Sequence, residues 1–353
     1  MKVSCLQENL AEGLSIVGRA VSPRSTLPVL GNVLLETDGG RLRLSATDLE
    51  VGINCWIGAK VEEEGATTIP ARTFIDLVAA LPPGKVDLEL VVRTQTLNLR
   101  AARSEANIKG IDAQEFPIVT IPPDDAHGIP IEPNVLREAV EQVAFAAATD
   151  ESRPIRSVDL PDAVADPFSI IIPAQALTEL RRISANQQDP VHIHVTPERN
   201  QVIFELTDVV LVSQLIDGNF PDYRQIIPRD WATHTVVDTA PFLKACKMAQ
   251  IFARDAANIS RIHVDPGSEL EPGHLRVSAT SAETGEDVSE MDASIEGESV
   301  EIAFNVKYLI DVLSVTNAPQ VSLDTTTPSS PGVIRPVGEN GFTHVIMPMH
   351  LGQ

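Results

Sequence analysis

Asp48 and Glu50 stand two positions apart in the stretch ATDLEV, and paired carboxylates are what general acid and base catalysis uses. Residues two apart on a strand point to the same side, so both could face one substrate. No histidine, serine nucleophile or metal constellation gathers near them in the sequence. A matching stretch, SATSAETGEDV, carries Ser281 and Glu283 at the corresponding places, which a shared catalytic mechanism would not predict. The three cysteines, Cys5, Cys55 and Cys246, lie far apart with no CxxC, and neither a disulfide framework nor a zinc site follows from that spacing. They read as buried thiols. His192 and His194 alternate along VHIHV with no third ligand close by, and read as a solvated strand face. No catalytic residue, metal or cofactor is expected.

The chain has 353 residues, 43% of them apolar, a length that suits two or three domains. No apolar run approaches the roughly 18 to 20 residues of a membrane-spanning helix. The opening MKVSCLQENLAEGL lacks the apolar core and cleavage site of a signal peptide, so a cytosolic protein is expected. With 49 acidic and 27 basic residues the net charge is −22. That argues against holding nucleic acid by a basic surface, which works by neutralising phosphates. Against this polar background the chain finishes on GFTHVIMPMHLGQ, two methionines around a proline with scarcely a charge. Terminal segments are usually frayed and polar, so this one looks placed.

The elements that must position these residues come in three copies. TTIPARTFIDLVAALPPGKVDLELV from Thr67, SIIIPAQALTELRRISANQQDPVHIHV from Ser169 and VEIAFNVKYLIDVLSVTNAPQVSLDT from Val300 each predict a short apolar strand, a helix of period 3.6, a turn and an alternating strand. Phe74, Leu177 and Leu309 correspond, as do Asp76, Glu179 and Asp311. A further helix precedes each copy, from Glu8, Glu132 and Thr239, with Leu10, Leu136 and Leu243 opening the apolar faces. LRLSAT at Leu42 returns as LRVSAT at Leu275, and DAQEFPIV at Asp112 has a partner in DGNFPDYRQIIP at Asp217.

The middle copy is short. From Pro28 to Pro70 and from Ile262 to Asn305 the interval before the second helix is more than twice that from Ile155 to Pro173. The shortfall is about one hairpin, at roughly 3 to 10 residues per strand. A deletion would leave the middle sheet with a raw edge, which proteins normally cover. A stretch missing from the chain as read is therefore the favoured expectation.

Repeats that cannot bury their faces alone stack on neighbours, and three copies invite an open arc or a ring closed with a partner. The six helical stretches (10–24, 71–81, 133–145, 174–185, 240–255, 305–314) total 77 residues with 10 basic and 7 acidic side chains, leaving −25 on the remainder. Lys and Arg are good helix formers, which explains part of this. The other reading is a helical surface that tolerates a polyanion within an acidic protein.

TLPVLGNVLLE from Thr26, LSATDLEVGI from Leu44, IPARTFIDLV from Ile69, DGNFPDYRQIIP, FNVKYLIDVL and the terminal VIMPMHL together resemble the bacterial DNA polymerase III beta subunits, the sliding clamps. The resemblance runs in order through nearly the whole chain. It implies an α+β fold, the DNA clamp fold, of three repeated domains, each of two helices packed on antiparallel sheets, closing as a head-to-tail dimeric ring around duplex DNA. The domains would span 1–121, 129–229 and 233–353, with the second short by about one hairpin. Such a ring tethers the replicative polymerase, and it binds the clamp loader and repair proteins through short linear motifs.

By that resemblance Arg24 and Arg72 face DNA; position in the repeat adds Arg137, Arg181, Arg182, Lys244 and Lys247. Residues matching the peptide pocket are Ile155, Pro221, Ile226, Val345, Met347, Pro348, Met349 and Leu351, with Ser330 and Pro331 nearby. Methionine suits a pocket that takes several partners, since its unbranched side chain repacks readily. The family's Thr-Asp-Gly strand end in the middle domain, part of its pocket, falls in the short interval. Gln225 and His350 stand where the family often has arginine. The dimer contact would set Ile108 against Ile251 and Phe252, with Glu296, Glu298 and Glu301 as a charged rim. An enzyme and an acidic scaffold that binds only proteins are the rival classes.

Overall fold

The computed structural model describes residues 1–22, 27–123, 126–147, 152–160, 164, 167–220, 222–268 and 271–349. The first copy runs β1 (Lys2–Leu6), α1 (Gln7–Val17), β2 (Asn32–Asp38), β3 (Arg41–Thr47), β4 (Val51–Glu63), β5 (Ala66–Pro70), α2 (Ala71–Ala80), β6 (Lys85–Val91), β7 (Thr96–Ala101) and β8 (Ser104–Lys109). The second runs β9 (Ile129–Ile131), α3 (Pro133–Val143), β10 (Ser152–Arg156), α4 (Ala174–Ile183), β11 (Val191–Val195), β12 (Gln201–Glu205) and β13 (Val209–Gln214). The third runs β14 (Thr233–Asp238), α5 (Thr239–Ala253), β15 (Ile259–Asp265), β16 (His274–Ser281), β17 (Gly285–Asp292), β18 (Ser294–Gly297), β19 (Val300–Asn305), α6 (Val306–Val315), β20 (Gln320–Thr325), β21 (Gly332–Pro336) and β22 (Phe342–Ile346). Helices and antiparallel sheets make this an α+β protein.

The chain falls into two compact units, Met1–Arg137 with Leu160–Gly218, and Glu138–Asp159 with Asn219–Gln353. Unit 1 holds a twelve-stranded sheet in the order β8-β7-β6-β1-β4-β13-β12-β11-β9, with β2, β3 and β5 attached beside β4. The 13-residue β4 joins these parts, pairing with β3 and β13 through its first half and with β1 through its second. The β2–β3 hairpin closes on Gly39 and Gly40 at φ 56° and 79°, the positive pair that a two-residue hairpin loop requires. Leu10, Leu14 and Val17 form one stripe of α1 with no exposed surface and face β3 and β4. The helix approaches closely because Gly13 lies there: a Cβ would sit 2.8 Å from Leu44 Cδ1. On α2, Phe74 and Val78 are fully buried, and the helix packs on α1, β2 and β5.

Unit 2 holds a six-stranded sheet, β10-β22-β21-β20-β14-β18, and a four-stranded one, β17-β16-β15-β19. Its core joins Phe242, Cys246 and Ala249 of α5 to Leu309 and Leu313 of α6, over Ile262, Leu275 and Phe304 of the strands. The three cysteines are buried, as the sequence predicts. Desolvation pushes the Cys5 and Cys55 thiols up to about 12 and raises that of Cys246 further.

The short middle copy leaves the open strand edge that its missing hairpin predicts. In the first copy β1 lies between β4 and β6, and in the third β14 lies between β18 and β20; among the described residues β9 pairs with β11 alone. Pro130 at its centre offers no N–H, a common way to blunt an edge. Between Arg156 and Ala174 no helix or strand appears among the described residues. Among the described residues α4 consequently packs on β13 without the partners that β2 and β5 give α2, and Leu177 is only half-buried where Phe74 and Leu309 are fully buried. No helix among the described residues is long and apolar enough to cross a membrane.

Candidate docking and nucleic-acid surfaces

The carboxylate pair does not share a strand face. Asp48 and Glu50 lie in the turn between β3 and β4, where Asp48 Oδ1 accepts from the Glu50 and Val51 amides at 3.0 and 2.7 Å. The expected solvated face on VHIHV also gives way: His194 is 9% exposed, its Nε2 2.9 Å from Glu205 Oε2, and His192 is half-buried. The backbone at Gly128 lies over this face, where a Cβ would sit 2.6 Å from His194 Nε2 and 2.8 Å from His192 Cβ. Among the described residues no group of three His, Cys, Asp or Glu side chains is placed to hold a metal.

The apolar C-terminal stretch is built in. β22 lies between β10 and β21, and Phe342 and Ile346 belong to the unit 2 core. Beyond the strand, Met347, Pro348 and Met349 stay half-buried, and the Met349 amide donates to Ala303 O at 2.8 Å, fixing the path of the tail. Val345 is 1% exposed, so it backs the surface instead of lining it. Ile155, on β10, pairs with Thr343 and is half-buried; Ile226 is half-buried just after the helical turn Tyr223–Gln225. Ser330 and Pro331 are half-buried at the start of β21, with Ser330 Oγ 2.7 Å from Thr327 Oγ1. All these residues fall in unit 2. Pro221, His350 and Leu351 lie outside the described residues.

What seats β10 on β22 could not be read from the sequence. His344 has no exposed surface, its Nε2 lies 2.8 Å from Ser152 Oγ, and its ring stacks on Phe145 with centroids 5.8 Å apart. Burial pushes its pKa down to about 3, so the ring stays neutral. Arg156 holds the other end, donating to Asn340 O at 3.2 Å and pairing with Glu138 at 3.5 Å. The inward alternation of FTHVI is the one signal that could have flagged His344, since every second residue of a buried strand faces the core.

The basic helix residues differ in availability. Arg72 is exposed on the first turn of α2, and Lys244 and Lys247 are exposed on α5 without an ion pair within 4.0 Å among the described residues. Arg181 is exposed; Arg182 is exposed and pairs with Glu179 at 2.7 Å, a carboxylate that also meets Arg19 at 3.5 Å. Arg137 departs from expectation, because its guanidinium donates to Ser184 O, to Ala185 O at 3.2 Å and to Asn134. It closes off the carbonyls that end α4, which helix termini otherwise leave unsatisfied. Arg24 lies outside the described residues.

The interface candidates sit on open strand edges or beside them. Among the described residues β8 ends the unit 1 sheet, with only β7 beside it, and its Ile108 is 8% exposed. At the end of α5, Ile251 is 60% exposed and Phe252 half-buried. Glu296 lies on the edge strand β18 and Glu298 just beyond it; Glu301 lies on the edge strand β19 and pairs with Arg261 at 3.4 Å. Sequence reasoning missed β17, the other edge of the four-stranded sheet, where Val288 is 58% exposed.

Three family models match the chain in order: the N-terminal domain of the DNA polymerase III beta subunit over residues 1–121, its central domain over 154–222 and its C-terminal domain over 224–350. The beta sliding clamp of Synechococcus elongatus is 31% identical, covering 99% of this chain and 100% of that one, over 379 aligned positions. The DNA polymerase sliding clamp of Bacillus subtilis superposes with a TM-score of 0.93 at 26% identity, covering both chains in full. That of Caulobacter crescentus gives 0.89 at 28% identity, over 99% of this chain and all of its own. On this evidence the chain belongs to the bacterial DNA polymerase III beta subunit family, the beta sliding clamps.

Proposed function

We propose that two copies of this chain close head to tail around duplex DNA and tether the replicative polymerase, the clamp loader and repair proteins to it through short apolar motifs. The observation that carries the reading is the family match along the whole chain. The family supplies processivity to a polymerase and is no catalyst itself. A ring linked topologically to DNA needs no high affinity for it, so a net charge of −22 is compatible with the role, and weak phosphate contacts favour sliding. Arg72, Arg181, Arg182, Lys244 and Lys247 are the residues proposed to supply them, with Arg24 from the undescribed segment. Arg137 is left out, because its donors are engaged within the fold. Three domains per chain, 1–121, 129–229 and 233–353, would make six around the ring, in the cytoplasm.

For closure, the unpaired edges of β8 and β17 are suited to pair between copies, with Ile251, Phe252 and Val288 as the apolar contact and Glu296, Glu298 and Glu301 at its rim. A head-to-tail contact must close after a fixed rotation or it makes filaments. For docking, Met347, Pro348, Met349 and Leu351, with Ile155, Pro221, Ile226, Ser330 and Pro331, form the apolar receptor, and Val345 supports it from behind.

Loading the protein onto nicked circular DNA with a clamp loader, then cutting the circle, tests the ring. It should stay on circles and leave linear molecules; retention on cut DNA, or indifference to DNA altogether, points to the acidic scaffold instead. Phe252→Asp should sediment as a monomer. Removal of residues 350–353 should abolish motif binding with the dimer intact, and loss of both would make the tail core.

A further inference from the structure

Unit 1 contains a second place built like the docking surface of unit 2. β13 ends beside the first copy as β22 ends beside β10: Ser213 pairs with Val51 and the Gln214 amide donates to Glu50 O at 2.8 Å, where Ile346 pairs with Ser152. The connecting segments correspond as well, EFPIV at Glu115 against NFPDY at Asn219. Two cavities of about 90 and 430 Å³ open here, and both are lined by Pro117, Ile118 and Val119.

Ile118 is 96% exposed and Leu49, on the wall of the smaller cavity, is 50% exposed. Leu49 stands at φ 79°, a conformation that L-residues other than Asn and Asp seldom adopt. Thr47 Oγ1 accepts from its amide at 3.0 Å and Asp48 Oδ1 accepts the next two amides, so a pinned turn holds an apolar side chain toward solvent. The rim is acidic. Glu50 lines one cavity and Glu36 the other, and Glu115 is exposed next to Phe116. Arg43, the one cation among the lining residues of either cavity, is engaged by both Glu36 and Asp38.

We propose that this groove is a second docking site, for an extended peptide of a partner protein whose apolar anchors are flanked by lysine or arginine. The likeness to unit 2 rests on the docking reading above; the exposed Ile118 and the acidic rim do not. The occupant is basic because the rim offers carboxylates and no unengaged cation, and such complementarity selects partners and speeds encounter.

The test is fluorescence anisotropy of the full chain with two labelled peptides, KLLFKK and ELLFEE in one-letter code. KLLFKK should bind saturably, weaken in high salt, and lose about tenfold in affinity, or 1.4 kcal/mol, with Ile118→Asp. Glu50→Lys should act in the same direction, and ELLFEE should bind at least about tenfold more weakly. Both substituted side chains are exposed, so the fold should survive, as circular dichroism would verify. Removing residues 350–353 should leave KLLFKK binding unchanged, which separates this site from that of unit 2. Affinity unaltered by Ile118→Asp, equal binding of ELLFEE, or loss of KLLFKK on removing the tail would each overturn the proposal.

Discussion

The first and middle copies share a plan and differ by one hairpin. In the first, α2 rests on β2 and β5, β1 has a neighbour on each side, and Phe74 has no exposed surface. In the middle copy no such strands appear among the described residues, where β9 has one neighbour and Leu177 is half-buried. The helix and the meander that follows it nevertheless form in both. The repeat therefore tolerates loss of its hairpin because α4 still has β13 to rest on, at the cost of a shallower apolar layer and an open strand.

The largest expected effect tests that layer. Phe74→Ala should lower stability by about 3–5 kcal/mol, and Leu177→Ala, at the same place in the middle copy, by about 1–2 kcal/mol; urea unfolding that gave equal losses would erase the difference. Next comes the seat of β10. The folded pKa of His344 is about 3 against 6.5 unfolded, so between those values the unfolded chain holds a proton that the native one refuses. The His344 contribution is complete above pH 6.5 and shrinks as pH falls toward 3, by up to about 1.4 kcal/mol per unit. Acid titration of unit 2 unfolding, compared with His344→Phe, would show a flatter curve in the variant. Ser152→Ala should cost about 1–3 kcal/mol by leaving a buried nitrogen unpaired.

Pro130→Val should change stability little yet restore an N–H to the open edge of β9. Sedimentation should then reveal concentration-dependent association absent from the parent. The smallest effect is expected from Arg182→Ala, which removes an exposed guanidinium while its partner Glu179 keeps Arg19, and should alter stability by less than about 1 kcal/mol.

The repeats, the helices and the short interval were legible because each is a local pattern: period 3.6, period 2, a count between markers. Roles that hang on distant partners were not. Nothing near Arg137 announces that its guanidinium reaches carbonyls 47 and 48 residues away. Whether Val345 faces a ligand or the core depends on strand register, and a shift of one residue reverses it. The pairing of β10 with β22 joins residues nearly 200 apart and followed from no motif. The carboxylate pair is rightly set aside as a catalyst but reads as lying on a strand, because a turn and a strand both accept Asp-x-Glu and only the geometry shows Asp48 bonded to amides.

The three thiols, buried and raised to about 12 or beyond, have a practical side. At neutral pH almost none is thiolate, the reactive form, so the folded protein should ignore maleimides and disulfide reagents. A cysteine introduced on the surface could then carry a dye with no native one removed. The same silence makes the thiols a clock: Cys5 and Cys55 would label only when unit 1 opens and Cys246 only when unit 2 does. Mass spectrometry of a timed alkylation would thus report the two openings separately, in one tube, without a probe.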